Sequence, residues 1–327
     1  MRAILESKTA LFIEGLTAQG GPPIYKLPVQ EARKVLENLQ AQPIEKLPVH
    51  TEDLILPCGP NGKVSIRIVR PLSENEKLPV VMYFHGGGWI LGSKETHDRL
   101  IREIACGSRA AVVFVNYSSS PEAKYPIPIE EAYAATKYIA EHGKDMKLDS
   151  SRLAVAGDSV GGNMATVVAL LAKERRGPTI HFQVLFYPVT DANFNTRSYQ
   201  DFAGGPWLTK PAMEWFWNAY APNLADRKKH TVCPLLSTLD QLRDLPPALL
   251  ITDENDVLRD EGEAYAHKLM QAGVEVRVMR YLGTTHDFVL LNPISNTPAT
   301  RSAIGLATAN LQRVFSQQKA SRQKKIA

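Results

Sequence analysis

Val155-Ala156-Gly157-Asp158-Ser159-Val160-Gly161-Gly162-Asn163 joins the apolar run Leu153 to Ala156 to an apolar-rich stretch, Asn163 to Arg175, that stops before Gly177-Pro178. The run reads as a buried parallel strand and the stretch as a helix, which puts Ser159 on the turn between them. A turn that sharp brings neighbouring backbone very close, so the positions two before and two after the serine must lack a side chain. They are Gly157 and Gly161, the G-x-S-x-G pattern of a nucleophile elbow. The following helix would aim its free N–H groups and positive dipole end at the serine, where negative charge forms during acyl transfer. Alone, the pentapeptide also suits a glycine-rich turn with a chance serine, so the rest of the chain has to decide.

Composition sets the frame. With 327 residues, 44% of them hydrophobic, the chain can bury a large core as one large or two smaller domains. The formal net charge of +4 owes much to Lys319, Arg322, Lys324 and Lys325, which reads as a solvated, frayed basic tail and not as a nucleic-acid face. Cys58, Cys106 and Cys233 are widely spaced with no C-x-x-C pair, which suits a reducing compartment and argues against a disulfide framework or a zinc site. The N-terminal apolar patch Ala10 to Ile13 is too short, and too close to Glu6 and Glu14, for a signal peptide. Met164 to Ala172 falls short of the roughly 20 apolar residues that span a bilayer, so a cytoplasmic location is expected. A Walker phosphate loop and an H-E-x-x-H are absent.

Along the chain, residues 1–50 read as two helices, the first ending at Gly20-Gly21-Pro22-Pro23 and the second running from Gln30 to Gln40, and fit an N-terminal cap segment. Glu52 to Leu56 and Lys63 to Val69 read as a hairpin turning at Pro60-Asn61-Gly62. From Leu78 the pattern alternates. Val80–Phe84, Ala111–Val115, Leu153–Ala156, Phe182–Phe186, Ala248–Ile251 and Val274–Met279 read as strands, with helices at His97–Cys106, Ile129–His142, Asn163–Arg175 and Glu261–Ala272. This predicts an α/β fold whose mostly parallel sheet is covered on both faces, with ligands at the carboxyl ends of the strands. The catalytic core is expected over 51–189 and 243–315, a second, aromatic-rich cap element over 190–242, and the basic tail over 316–327.

An acyl-transfer serine needs an oxyanion hole, a base and a carboxylate to orient the base. His85-Gly86-Gly87-Gly88-Trp89 follows the first long parallel strand, and its bare glycines can turn N–H groups toward a ligand oxygen, with Val160 N–H adding another. His286, in Gly283 to Phe288 after the last strand, is the candidate base; His97 and the remaining histidines read as ordinary surface residues. Asp253, Glu254, Asp256 and Asp260 all qualify by position as the acid, and spacing does not choose among them.

These motifs, in this order, resemble the hormone-sensitive-lipase-like group (bacterial family IV) of α/β-hydrolase carboxylesterases, from Gly20 to about residue 315. The resemblance implies a triad of Ser159, Asp256 and His286, since Asp256 matches the first aspartate of the family's D-P-L-R-D-E. It implies oxyanion donors Gly87, Gly88 and Val160, with His85 and Gly86 supporting their loop. Trp89, Tyr187, Trp207 and Leu208 are expected at the substrate. Three departures stand out. Val160 replaces the usual alanine and predicts crowding of bulky acyl groups, Val257 replaces proline, and Tyr117-Ser118-Ser119-Ser120-Pro121-Glu122 replaces Y-R-L-A-P-E, so its arginine's contacts must be replaced or absent. The expectation is a serine esterase for short- to medium-chain acyl esters, needing no cofactor or metal, whose partner is a small-molecule ester and neither nucleic acid nor membrane. Monomer or homodimer stays open. An amidase or formamidase with the same triad is the alternative, and a non-catalytic small-molecule receptor on this fold the further one.

Overall fold

Strand runs that are apolar on both faces need cover on both sides, and the chain supplies it. The computed structural model describes residues 3–72 and 77–326, with side chains as far as residue 320. Among them β1 (Val49–Leu56), β2 (Val64–Pro71), β3 (Leu78–Phe84), β4 (Ala111–Asn116), β5 (Leu148–Asp158), β6 (Gln183–Phe186), β7 (Ala248–Asn255) and β8 (Val276–Thr285) form one sheet. Its spatial order is β1-β2-β4-β3-β5-β6-β7-β8. β2 pairs antiparallel with β1 and β4, and every later pairing is parallel. The expected hairpin forms with a longer connection than a tight turn, residues 57–63, in which Gly62 N–H closes onto Gly59 O at 3.1 Å.

The helices are α1 (Ser7–Gln19), α2 (Val29–Gln40), α3 (Asp98–Ser108), α4 (Ile127–His142), α5 (Val160–Glu174), α6 (Arg197–Asp201), α7 (Lys210–Tyr220), α8 (Leu239–Leu242), α9 (Arg259–Gln271) and α10 (Pro298–Ile326). α5 is buried from Val160 to Ala172, as a helix apolar all round must be. It packs with α4 and α9 in one apolar layer that includes Ile129, Leu170 and Leu269. The opposite layer joins Leu100, Ile101 and Ile104 of α3 to Ala303, Ala307 and Leu311 of α10. Gly107 lets those two helices approach, since a Cβ there would stand 2.7 Å from Thr308 Cγ2.

α10 is the main difference from the reading of the sequence. It carries helix through most of the stretch expected to be a frayed tail, although Arg322, Lys324 and Lys325 lie outside the described side chains. Thr300, Gly305, Thr308 and Asn310 give the segment weak intrinsic helix preference, so tertiary packing holds it in place. Cys58, Cys106 and Cys233 are free thiols. No helix among the described residues is long and apolar enough to cross a membrane.

Candidate active site

At the carboxyl end of β5, Asp158 closes the strand and Val160 opens α5, leaving Ser159 alone at φ 56° and ψ −121°. A non-glycine residue there is strained, and the surroundings hold it. Ser159 N–H donates to Phe186 O at 2.9 Å, and Ser159 O accepts from Val189 N–H at 3.1 Å. An added Cβ at Gly157 would overlap Gly161 O, and one at Gly161 would overlap Phe84 O, so both flanking glycines are sterically required.

His286 follows β8 and reaches this serine, its Nε2 2.9 Å from Ser159 Oγ. Its Nδ1 is 2.7 Å from Asp256 Oδ2. With the proton on Nδ1, the ring donates to Asp256 and accepts from the serine hydroxyl, a relay that can move a proton off the serine. Asp256 Oδ1 accepts from Leu258 N–H at 3.0 Å. The other acids from the sequence are engaged elsewhere or lie behind. Glu254 accepts from Gly283 N–H at 2.7 Å, Asp260 accepts from Ser198 N–H at 2.7 Å, and Asp253 is buried beside Asp256. Burial alone would lower the affinity of His286 for its proton, but the Asp256 and Asp287 carboxylates outweigh it and raise its pKa to about 9.

Gly86, Gly87 and Gly88 bend past the serine, and among the described residues the N–H groups of Gly87, Gly88 and Val160 donate to no protein acceptor. Gly87 and Gly88 border the same cavity as Ser159. The loop is fastened by a residue to which the sequence reading gave no role. Asp158, fully buried, accepts from Gly86 N–H at 3.1 Å and from Tyr83 O–H at 2.6 Å, with His97 Nε2 at 3.3 Å. His97 is thus a buried partner of the elbow and not a surface histidine. His85 stacks at 4.2 Å on Tyr117, and burial followed by the neighbouring His97 drives its pKa down to about 3, so it is neutral. For Asp158, burial alone would push the carboxyl up. His97 and the hydrogen bonds it receives win, and it sits below the usual range.

Ser159 and His286 open on a cavity of about 420 Å³. Ile13 and Leu16 of α1 and Val35 and Leu36 of α2 form one wall, and Trp207, Leu208 and Phe216 form another. Trp207 Nε1–H donates to Asp287 Oδ2 at 2.8 Å, tying that wall to the His286 loop, while Asp287 Oδ1 stands 3.6 Å from His286 Nε2. Of the four expected substrate contacts, Trp207 and Leu208 line the cavity and Trp89 and Tyr187 do not. Trp89, at φ 59°, turns into the core, stacked at 4.1 Å on Tyr220 and tilted against Trp217 at 4.9 Å. Tyr187 is buried behind His286, its ring edge-on at 4.7 Å. Val160 is also fully buried in the core and does not line the cavity, so the expected crowding of the acyl chain gives way to packing behind the elbow.

The serine-rich departure has its contacts replaced. Ser118 N–H and O–H donate to Glu131 at 2.6 and 2.8 Å. Arg33 of α2 donates to Ser120 O at 3.0 Å, to Ile90 O at 3.0 Å and to the Glu122 carboxylate, so an arginine from the N-terminal segment bridges this loop and the glycine loop. Two further bonds clamp the chain's start onto the loops carrying Asp256 and His286. Asn255 Nδ2–H donates to Ile4 O at 2.8 Å, and Glu6 N–H donates to Gly283 O at 2.9 Å.

A mostly parallel sheet with a serine, histidine and carboxylate in relay at its elbow defines the α/β-hydrolase class. A family model described as alpha/beta hydrolase fold matches residues 81–290. A carboxylesterase of Mycobacterium tuberculosis is 38% identical over 88% of this chain and 90% of its own. An ethyl acetate hydrolase of Pseudomonas putida is 35% identical over 83% of this chain and 86% of its own. The solved structure of a thermostable esterase from Pseudomonas putida superimposes with a TM-score of 0.95 at 46% identity, covering 96% of this chain and 99% of that one. The chain belongs to the hormone-sensitive-lipase-like family of α/β-hydrolases and is a carboxylic ester hydrolase.

Proposed function

We propose that Ser159 is the nucleophile, His286 the general base and Asp256 the residue that orients it, acting through an acyl-enzyme on short- to medium-chain esters. His286 takes the Ser159 proton as Oγ attacks the ester carbonyl. Gly87, Gly88 and Val160 N–H groups stabilise the oxyanion. His286 then returns the proton to the departing alcohol, and water repeats the steps on the acyl-enzyme. The observation that carries this reading is the serine–histidine–aspartate relay, at 2.9 and 2.7 Å, whose Ser159 and His286 share a mainly apolar cavity with Gly87 and Gly88.

The cavity supports the substrate class. At about 420 Å³ it lies toward the small end of ligand pockets, and Ile13, Leu16, Val35 and Leu36 give it an apolar wall suited to a bounded acyl or alkyl chain. Residues 1–50 and 190–242 act as the two parts of a cap that shapes this space. The test is a series of p-nitrophenyl esters from acetate to palmitate, run beside the matched anilides. The reading expects kcat/KM to peak at short or medium acyl length and to fall steeply beyond it, with anilides far slower. Rates rising through palmitate, or anilides matching esters, would overturn it.

A further inference from the structure

Asp253 lies on β7 shortly before Asp256 and takes no part in the relay. Its side chain is fully buried, and among the described residues neither of its carboxyl oxygens has a hydrogen-bond donor. What lies beside it is another acceptor. Asp253, Asp256 and His286 each bring one polar atom into a cluster in which all three lie within 4.8 Å of one another. The groups facing Asp253 are Asp256 on the following loop, His286 and Asp287 after β8, and Tyr187 after β6. Among the described residues no lysine or arginine acts on its carboxyl. An ionised carboxylate here would be buried without a donor against a second carboxylate, which the interior does not tolerate. Two carboxyl groups so placed are satisfied by one shared proton.

We propose that Asp253 is a positioning residue held as a neutral carboxylic acid, its O–H donating to the Asp256 carboxylate and fixing it toward His286, a role that rests on Asp256 and His286 being acid and base. Burial, then the Asp256 and Asp287 carboxylates, push the Asp253 carboxyl well above the usual range, in keeping with a retained proton. With Leu258 N–H on Oδ1 and the Asp253 proton as a further donor, Asp256 cannot swing away from the imidazole. The added hydrogen bond also spreads the Asp256 charge, so the imidazolium is held less tightly and returns more readily to the neutral base that the serine needs.

The experiment compares the wild type with Asp253→Asn, which keeps a donor, and Asp253→Val, which removes it. The infrared difference spectrum of wild type minus Asp253→Asn at pH 8 should show the C=O stretch of a neutral carboxylic acid, the subtraction cancelling any protonated carboxyl common to both, such as the buried Glu261. That band is independent of turnover, so it reports on the proton even if the triad were assigned wrongly. In kcat/KM against pH, Asp253→Val should move the acid limb up by about one unit, the size of one charge-assisted hydrogen bond. Its kcat should fall about tenfold with KM within about twofold, while Asp253→Asn keeps the acid limb within a few tenths of a unit of the wild type. A missing infrared band, or an acid limb that moves down in both variants as loss of a negative charge would require, overturns the proposal.

Discussion

Replacing Asp158 by alanine tests how the glycine loop proposed to carry the oxyanion donors is held. The substitution removes the acceptor for Tyr83 O–H and Gly86 N–H, bonded at 2.6 and 3.1 Å in a site closed to water. Each buried donor left without a partner costs about 1–3 kcal/mol, so the two together cost about 4 kcal/mol. For a chain of this size that lowers the melting temperature by about 6 °C. The functional effect is separate. Gly86 is the first glycine of the loop that carries the Gly87 and Gly88 N–H groups, and misplacing one such donor costs about 10²–10³-fold in kcat. KM should change little, because most of the apolar lining of the cavity comes from α1, α2 and the 190–242 element and only Gly87, Gly88 and Leu91 from the loop. Asp158→Asn keeps an oxygen for both donors and should lose less on both counts. The pH dependence has a definite sign. A carboxyl depressed in the native state contributes stability that is present above its unfolded value of 3.8 and is lost as pH falls through its lower native value, so this part of acid destabilisation should vanish in Asp158→Ala. Steady-state kinetics on p-nitrophenyl acetate with melting curves from pH 3 to 8 decide the matter. A reduced melting temperature with wild-type kcat would refute the claim that Asp158 positions the oxyanion loop.

Two further expectations can be checked with the same substrates. Val160→Ala should lower stability by about 2 kcal/mol, as truncation in a closed core does, and leave the order of rates across an acyl series unchanged; a selective gain on branched acyl esters would return the side chain to the cavity. Because His286 has its pKa raised to about 9, the neutral base is the minor form at pH 7, so kcat/KM should rise with pH well past 6.5. Removing one of the two carboxylates responsible, in Asp287→Asn, should move that limb down, and a limb fixed near 6.5 in both proteins would contradict the electrostatic account.

The parts of the site that were legible in the sequence are those where chemistry constrains neighbouring residues. Gly157 and Gly161 marked the elbow because no side chain fits against Phe84 O or Gly161 O, and the apolar runs gave the parallel sheet because strands covered on both faces carry no polar alternation. The acid was different. Asp253 and Glu254 at the end of β7 and Asp256 and Asp260 just beyond it are close together in sequence, and only the bend of the chain beyond Asn255 decides that Asp256 faces His286. Direction was equally hidden for Trp89 and Val160, where backbone conformation and packing, absent from any motif, turn the side chains into the core. His97 looked like a surface residue because its partners, Asp158 and Tyr83, come from separate strands. α10 was missed for a related reason, since a helix built partly from threonine, glycine and asparagine depends on α3 for its stability.

The most direct test of the account is covalent labelling. The wild type is treated with a fluorophosphonate, digested and mapped by mass spectrometry beside Ser159→Ala and His286→Ala, with circular dichroism to establish that all three are folded. The account predicts a single adduct on Ser159, stoichiometric with loss of esterase activity, absent in Ser159→Ala and formed at least about a hundredfold more slowly in His286→Ala, where the serine keeps its elbow but has no base. An adduct on any other residue that tracks inactivation, or full esterase activity in Ser159→Ala, would contradict it.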